Sequence, residues 1–227
     1  MTDFPFAIVG FDLDGTLLDT LADLGAALNH VLAMDGRAPV ATSQVHGLVG
    51  GGTRKMLARG LEVTGGPVPE DRFEEMLAAL LRFYEANIAV QTWLYPGGEA
   101  MLDGLTARGV KLALVTNKLE HLAVKLLREL GLSWRFYTII GGDTLGPGHS
   151  KPQPDLLHEM VARGGGGLAA YVGDTTYDTA AAQAAGLPCV AVSFGFNDLP
   201  ARELGATAMV DHFDQLIPTL ERLGTRP

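Results

Sequence analysis

The sequence predicts an α/β protein: a parallel sheet covered by helices on both faces, with a helical unit inserted early in the chain. Three observations carry this reading. Short apolar runs recur along the chain, helical patterns separate the later ones, and the strand signal vanishes between about residues 19 and 91.

The runs span residues 6–11, 110–115, 137–140, 169–172 and 189–193. Each is brief, rich in Val, Ile, Ala or aromatic residues, and followed closely by Gly, Asp, Thr or Asn, as expected of strands buried on both faces. Helical periodicity appears between them. Met101, Leu102 and Leu105 precede Gly109; Leu122, Leu126, Leu127 and Leu130 precede Gly131; Pro154 introduces a helix carrying Leu156, Leu157, Met160 and Val161. Proline near the start and glycine past the end are the usual helix punctuation. Strand and helix in alternation indicate a parallel sheet.

Residues 19–91 carry only helical stripes: Leu21, Leu24, Leu28, Val31 and Leu32, then Phe73, Met76, Leu77, Leu80, Leu81 and Tyr84. The expected division is a core of residues 1–18 and 92–227 with a helical cap of residues 19–91. Ligands of open α/β sheets bind beyond the carboxyl ends of the strands, so a unit inserted there is a candidate lid. The glycine run at 164–167 lies between a helix end and a strand start, at the opposite edge, and reads as a connector.

The 227 residues are enough to bury a core without disulfides. The single cysteine, Cys189, sits in an apolar run and reads as a buried, inert thiol, consistent with a reducing, cytoplasmic setting. Neither a signal peptide nor a membrane-spanning run is expected. Seventeen basic against 26 acidic residues give a formal charge of −9, which argues against nucleic acid or an anionic membrane as partner. An anionic substrate would therefore need positive charge supplied locally, by a metal ion or a few placed lysines.

Chemistry-bearing residues recur where the strands end. The first strand runs into Asp12-Leu13-Asp14-Gly15-Thr16-Leu17-Leu18-Asp19-Thr20. The second ends in Leu114-Val115-Thr116-Asn117, and Lys151-Pro152-Gln153-Pro154 precedes a helix. A later strand ends in Val172-Gly173-Asp174-Thr175-Thr176-Tyr177-Asp178. Taken singly, each has an ordinary structural use. Asp14 and Thr116 suit turns, Lys151 a solvated surface, and Asp174 a helix cap. Four such groups at one sheet edge point instead to a shared site. The six histidines are scattered without metal-ligand spacing, and only His149 lies near one of these motifs.

This set of motifs, in this order, resembles the haloacid dehalogenase superfamily in its phosphatase branch, and is most similar to the phosphoglycolate phosphatase group. Further matches are Gly47-Leu48-Val49-Gly50-Gly51-Gly52, Tyr95-Pro96-Gly97, Ile140-Gly141-Gly142-Asp143 and Phe194-Gly195-Phe196-Asn197. Leu119, Gln153 and Phe196 depart from the residues frequent in that group, but none carries a proposed catalytic atom. The resemblance implies a Rossmann-like core and a helical cap.

It also implies a mechanism. Asp12 would attack phosphorus and form an aspartyl phosphate, and Asp14 would protonate the leaving oxygen and then activate water. Thr116, with Asn117 beside it, and Lys151 would bind the phosphoryl oxygens. Mg2+ would be held by the Asp12 carboxylate, the Asp14 carbonyl and Asp174, with Asp178 in a supporting position rather than as a ligand. Gly51, Gly52 and Arg54 of the cap would meet the substrate, Arg54 as a candidate partner for a substrate carboxylate.

The expected reaction is hydrolysis of a small phosphorylated metabolite, 2-phosphoglycolate first, with a nucleotide, sugar phosphate or pyrophosphate as other candidates. A phosphoglucomutase-like phosphotransferase shares both aspartates. A haloacid dehalogenase has no use for Asp14, and a phosphate-binding module that has lost catalysis would be expected to lack one of these residues. The protein is expected to act as a monomer or homodimer.

Overall fold

The computed structural model describes residues 4–224. Strand β1 (Ile8–Phe11) is buried throughout. The chain leaves it through a two-residue strand, β2 (Leu18–Asp19), and enters four helices: α1 (Leu21–Met34), α2 (Thr42–Val45), α3 (Thr53–Val63) and α4 (Glu70–Ala86). It returns through β3 (Trp93–Leu94), antiparallel to β2 with Leu18 opposite Leu94. Exit and re-entry are thus tied side by side. Buried Asp23 fastens the same base by accepting hydrogen bonds from the Gln91 amide and the Thr92 hydroxyl.

The remainder alternates helix and strand: α5 (Gly98–Ala107), β4 (Lys111–Val115), α6 (Glu120–Glu129), β5 (Thr138–Ile140), α7 (Asp155–Arg163), β6 (Ala169–Gly173), α8 (Thr176–Ala184) and β7 (Cys189–Val192). Strand β8 (Ala208–Val210) and helix α9 (Leu216–Gly224) close the fold. Six parallel strands form one sheet in the order β5-β4-β1-β6-β7-β8. The chain builds outward from β1 to β5, then crosses back to lay β6 on the other side of β1. The resulting switch point between β1 and β6 is where open α/β sheets form a crevice.

Alternation along the strands sorts the core into two layers. Ile8, Ala113, Val115, Tyr171 and Cys189 pack with Leu156, Leu157 and Met160 of α7 and with Ala181 and Ala182 of α8. Val9, Phe11, Leu112, Leu114, Val172 and Val190 face the opposite way, toward Leu102 and Leu105 of α5 and Leu126 of α6. Among the insert's stripes, Leu24, Leu28, Val31, Leu32, Met76, Leu77, Leu80 and Tyr84 are buried, while Leu21, Phe73 and Leu81 lie at the margin. The expected strands and helices are present with ends moved by a residue or two. The β2–β3 ribbon is a finding of the structure, since two-residue strands leave no periodic signal.

The 164–167 glycines join α7 to β6 at the amino edge, as expected. Gly165, Gly166 and Gly167 all have φ between +81° and +107°, a region in which a side chain is strained. Cys189 is buried, and burial pushes its thiol above the ordinary range. No described helix is long and apolar enough to cross a membrane.

Candidate active site

The carboxyl ends of β1, β4 and β6 deliver Asp12, Thr116 and Asp174 to one place. The Asp12 amide donates to the Val172 carbonyl of β6 (2.9 Å) and the Thr116 amide to Ile140 of β5 (2.9 Å). Sheet hydrogen bonding therefore extends one residue beyond the strands and fixes where both side chains start. Oxygens of Asp12, Asp174 and Asp178 lie within 4.8 Å of one another, and all three residues are buried.

One cation faces this acidic cluster. The Lys151 ammonium, 1% exposed, stands 3.0 Å from Asp12 Oδ1 and 2.6 Å from Asp178 Oδ1. It also donates to Tyr171 Oη (2.8 Å) and the Val115 carbonyl (3.2 Å). Burial alone would lower the Lys151 pKa, but Asp12 and Asp178 outweigh it and hold it above the usual lysine range. A solvated surface lysine is thereby ruled out.

The three carboxylates differ in their remaining capacity. Asp178 Oδ1 accepts from Lys151, and its Oδ2 accepts from the Thr175 hydroxyl (2.7 Å) and the amides of Thr175 (3.0 Å) and Asp174 (3.2 Å). Thr175, not Asp174, caps α8, and Asp178 completes its capping box. Asp174 takes one donor per oxygen: the Thr16 hydroxyl (2.8 Å) on Oδ1 and the Phe196 amide (2.7 Å) on Oδ2. Asp12 Oδ1 has its ion pair with Lys151 but no hydrogen bond among the described residues.

Burial, offset in part by Lys151 and reinforced by Asp178 and Asp14, raises the Asp12 pKa to about 6. Burial next to Asp178 and Asp12 raises Asp174 well above the carboxylate range. Two buried carboxylates that resist ionisation, Asp12 and Asp174, one of them with an oxygen lacking a hydrogen bond among the described residues, are the donor set a hard divalent cation fits.

Asp14 shows a feature that the sequence reading did not assign. Its carboxylate accepts two hydrogen bonds from Lys118 Nζ (2.8 and 2.7 Å) and one from the Thr20 hydroxyl (2.8 Å). Lys118 is buried, and its ammonium lies 4.6 Å from the centre of the Tyr84 ring of α4. Against the effect of burial, Asp14 and Tyr84 hold the Lys118 pKa above its ordinary range. The available signal was a lysine two residues past Thr116 in an acidic chain; its partner lies 104 residues away in sequence.

The cleft above the cluster is lined by Asp12, Asp14, Thr116, Asn117, Lys118 and Lys151 from the sheet edge, and by Leu24, Met56 and residues 49–53 from the insert. Asn117 donates to the Lys151 carbonyl (2.9 Å), which ties these two loops together. Gly51 and Gly52 line the cleft as expected, in a turn where Gly50, Gly51 and Gly52 all have positive φ. Gly52 caps α3, whose first residue is Thr53.

Arg54 pairs at the surface with Glu74 and, at 3.7 Å, with Glu70, stacks on Phe73, and lines not the cleft itself but an adjoining hollow that shares Gly51, Gly52, Thr53 and Asn117 with it. His149 pairs with Asp155 at the surface (2.8 Å) and is likewise outside the cleft.

Comparison with known proteins gives the same assignment. The haloacid dehalogenase-like hydrolase family matches residues 9–192. A phosphoglycolate phosphatase of Agrobacterium fabrum is 39% identical over 220 residues, covering 95% of this chain and 92% of that protein. One of Caulobacter vibrioides is 37% identical, covering 93% and 89%. The crystal structure of a predicted phosphoglycolate phosphatase from Haemophilus somnus superimposes with a TM-score of 0.88 at 27% identity, covering 95% of this chain and 98% of that one. By the family match over residues 9–192 and these relatives, this chain belongs to the haloacid dehalogenase-like hydrolases.

Proposed function

We propose that this chain is a metal-dependent phosphatase of small phosphate monoesters, with 2-phosphoglycolate as its substrate and Asp12 as its nucleophile. The observation that carries the reading is Asp12 Oδ1: a buried carboxylate oxygen on the floor of a cleft, ion-paired with Lys151 at 3.0 Å and with no hydrogen bond among the described residues. The names of the relatives support the choice of substrate.

Attack by a carboxylate on a phosphate dianion is resisted by charge, so the site must neutralise it. The Asp12 and Asp174 carboxylates, with the Asp14 carbonyl, would hold Mg2+, whose charge would screen that repulsion. Asp178 has both oxygens engaged by donors of this chain and serves to position Lys151 and the loop that begins α8. Thr116 and Asn117 offer a hydroxyl and an amide to the phosphoryl oxygens, and Lys151 supplies fixed positive charge at the attacking oxygen. Asp14 hands a proton to the leaving oxygen and recovers one from water. Residues 19–91 form a cap over this core, hinged at the β2–β3 ribbon, with Gly51 and Gly52 at its contact with substrate.

The test is release of inorganic phosphate from 2-phosphoglycolate and a panel of sugar phosphates, nucleotides and pyrophosphate, with Mg2+ and with chelator. The proposal expects metal-dependent release with preference for 2-phosphoglycolate. Equal rates across the panel would remove the named substrate, and no release from folded protein with Mg2+ would remove the phosphatase reading.

A further inference from the structure

A substrate that carries a carboxylate as well as a phosphate needs a second cation in the cleft. Lys118 and Lys151 are the cations that line it among the described residues. Lys151 is committed to Asp12 and Asp178. The nearby cations of the insert are engaged as well: Arg54 with Glu74, Lys55 with the Tyr177 hydroxyl (3.1 Å), and Arg59 with the carbonyls of Leu48, Val49 and Gly50 (3.1 Å each).

Lys118 differs from these. Its ammonium has three N–H donors, and its hydrogen bonds to charged groups run to Asp14 alone. That partner is the more accessible of the two, at 18% exposed against 4% for the Lys118 side chain. The Lys118 amide donates to Thr116 Oγ1 (3.3 Å), so the ammonium extends from the loop that presents the phosphate-binding hydroxyl. The same ammonium lies 4.6 Å from the centre of the Tyr84 ring.

We infer that Lys118 is the specificity-determining cation of the site, reading a carboxylate on the substrate's tail. In the structure its ammonium is held by Asp14, and a substrate carboxylate competes with Asp14 for it. A substrate with a second anion thereby draws the ammonium away from Asp14 and leaves that carboxyl group to face the leaving oxygen; a neutral-tailed phosphate does not. Recognition of the tail and readiness of the acid–base residue are thus coupled through one side chain. The Tyr84 ring keeps the ammonium at the cap–core boundary, where a small substrate's tail would point. This inference rests on the reading of the substrate as a phosphorylated carboxylic acid.

The test is equilibrium binding, in the presence of Mg2+, of 3-phosphonopropionate and propylphosphonate, which differ in the tail carboxylate. The wild-type protein is expected to bind the first about 10- to 100-fold tighter, the range of one hydrogen-bonded charge pair. Lys118→Met is expected to bring the two within about twofold, because the loss of a hydrogen bond to a charged group falls on the carboxylate alone, and Lys118→Arg to keep a preference. Because Lys118→Met leaves Asp14 unpaired, the same comparison is made between Asp14→Asn and Asp14→Asn/Lys118→Met, which removes both members of the pair.

Steady-state kinetics adds a readout that a purely structural role would not give. Lys118→Met should lower the ratio of kcat/KM for 2-phosphoglycolate to that for ethyl phosphate, a ratio that cancels what the loss of the ammonium does to Asp14 for both substrates, and Lys118→Arg should preserve it. A wild-type preference that survives Lys118→Met overturns the inference and leaves the substrate reading intact. Absence of any wild-type preference, with phosphate still released from other esters, overturns the substrate reading itself. Loss of the preference in Arg54→Ala with retention in Lys118→Met would assign the carboxylate to the cap arginine instead.

Discussion

Replacing Lys151 with methionine removes the single ammonium that faces Asp12 and Asp178, and the consequence can be worked out from the contacts. The substitution preserves most of the buried stem's volume but leaves the two carboxylates without their cation, Asp178 at 0% side-chain exposure and Asp12 at 13%. Removing one partner of a buried ion pair costs about 3–5 kcal/mol. For a protein of this size that corresponds to a melting temperature lower by about 6–20 °C.

The cost must also depend on pH. Asp12 already titrates at about 6 with Lys151 in place, above a carboxyl's ordinary 3.8, and loss of the ammonium raises it further. A carboxyl group whose folded pKa is raised favours the folded state at low pH and loses that contribution as pH rises through the folded value. The deficit of Lys151→Met relative to wild type should therefore be smallest near pH 5 and grow toward pH 8. Adding Asp178→Asn, which removes one of the stranded charges, should recover a large part of it. The assay is urea unfolding of the three proteins in chelator at both pH values. A Lys151→Met protein within about 1 kcal/mol of wild type at pH 8, a difference typical of exposed pairs, would refute the buried-pair reasoning.

Three further outcomes follow from the same geometry. Mg2+ must compete with protons at Asp12 and Asp174, so its affinity should fall on acidification, including the range near 6 where Asp12 takes up its proton; calorimetric titration checks it, and an affinity that rises on acidification would contradict it. Gly195→Ala places a Cβ against Asp174 and the Gly15 carbonyl. It should weaken Mg2+ binding by about tenfold or more, the scale on which disturbing a metal site's supporting shell is felt, and should lower the thermal midpoint in chelator as well, because the Gly15 backbone must give way. Arg54→Ala removes an exposed pair and should change stability by less than about 1 kcal/mol, with KM for 2-phosphoglycolate unchanged; a raised KM would restore Arg54 as a substrate contact.

Much of the architecture was legible because the signals are local. The run at 6–11 holds a buried strand, Ile8–Phe11, because nothing in those four residues needs water, and the aspartates emerge where the apolar run stops. The insert was legible from two helical stripes. What could not be read is what pairs across long separations. Nothing near Lys118 in sequence shows that its ammonium meets Asp14, and nothing near Arg54 shows that α4 turns Glu70 and Glu74 toward it. Strand β8 is three residues long and the β2–β3 ribbon two, too short for alternation to register. Helix α8, which buries Asp178, Thr179, Ala181 and Ala182, carries no stripe of large apolar residues, so its start was visible only through the motif that precedes it.

The central claim is that Asp12 is the nucleophile, and trapping its acyl phosphate tests this most directly. Enzyme mixed with 2-phosphoglycolate and Mg2+ is quenched in acid within a turnover, reduced with borohydride, digested and analysed by mass spectrometry. The account predicts conversion of position 12 from aspartate to homoserine, dependent on substrate, and absent in a folded Asp12→Asn protein that no longer releases phosphate. Phosphate release with position 12 unmodified at every quench time, together with substantial turnover by Asp12→Asn, would contradict it.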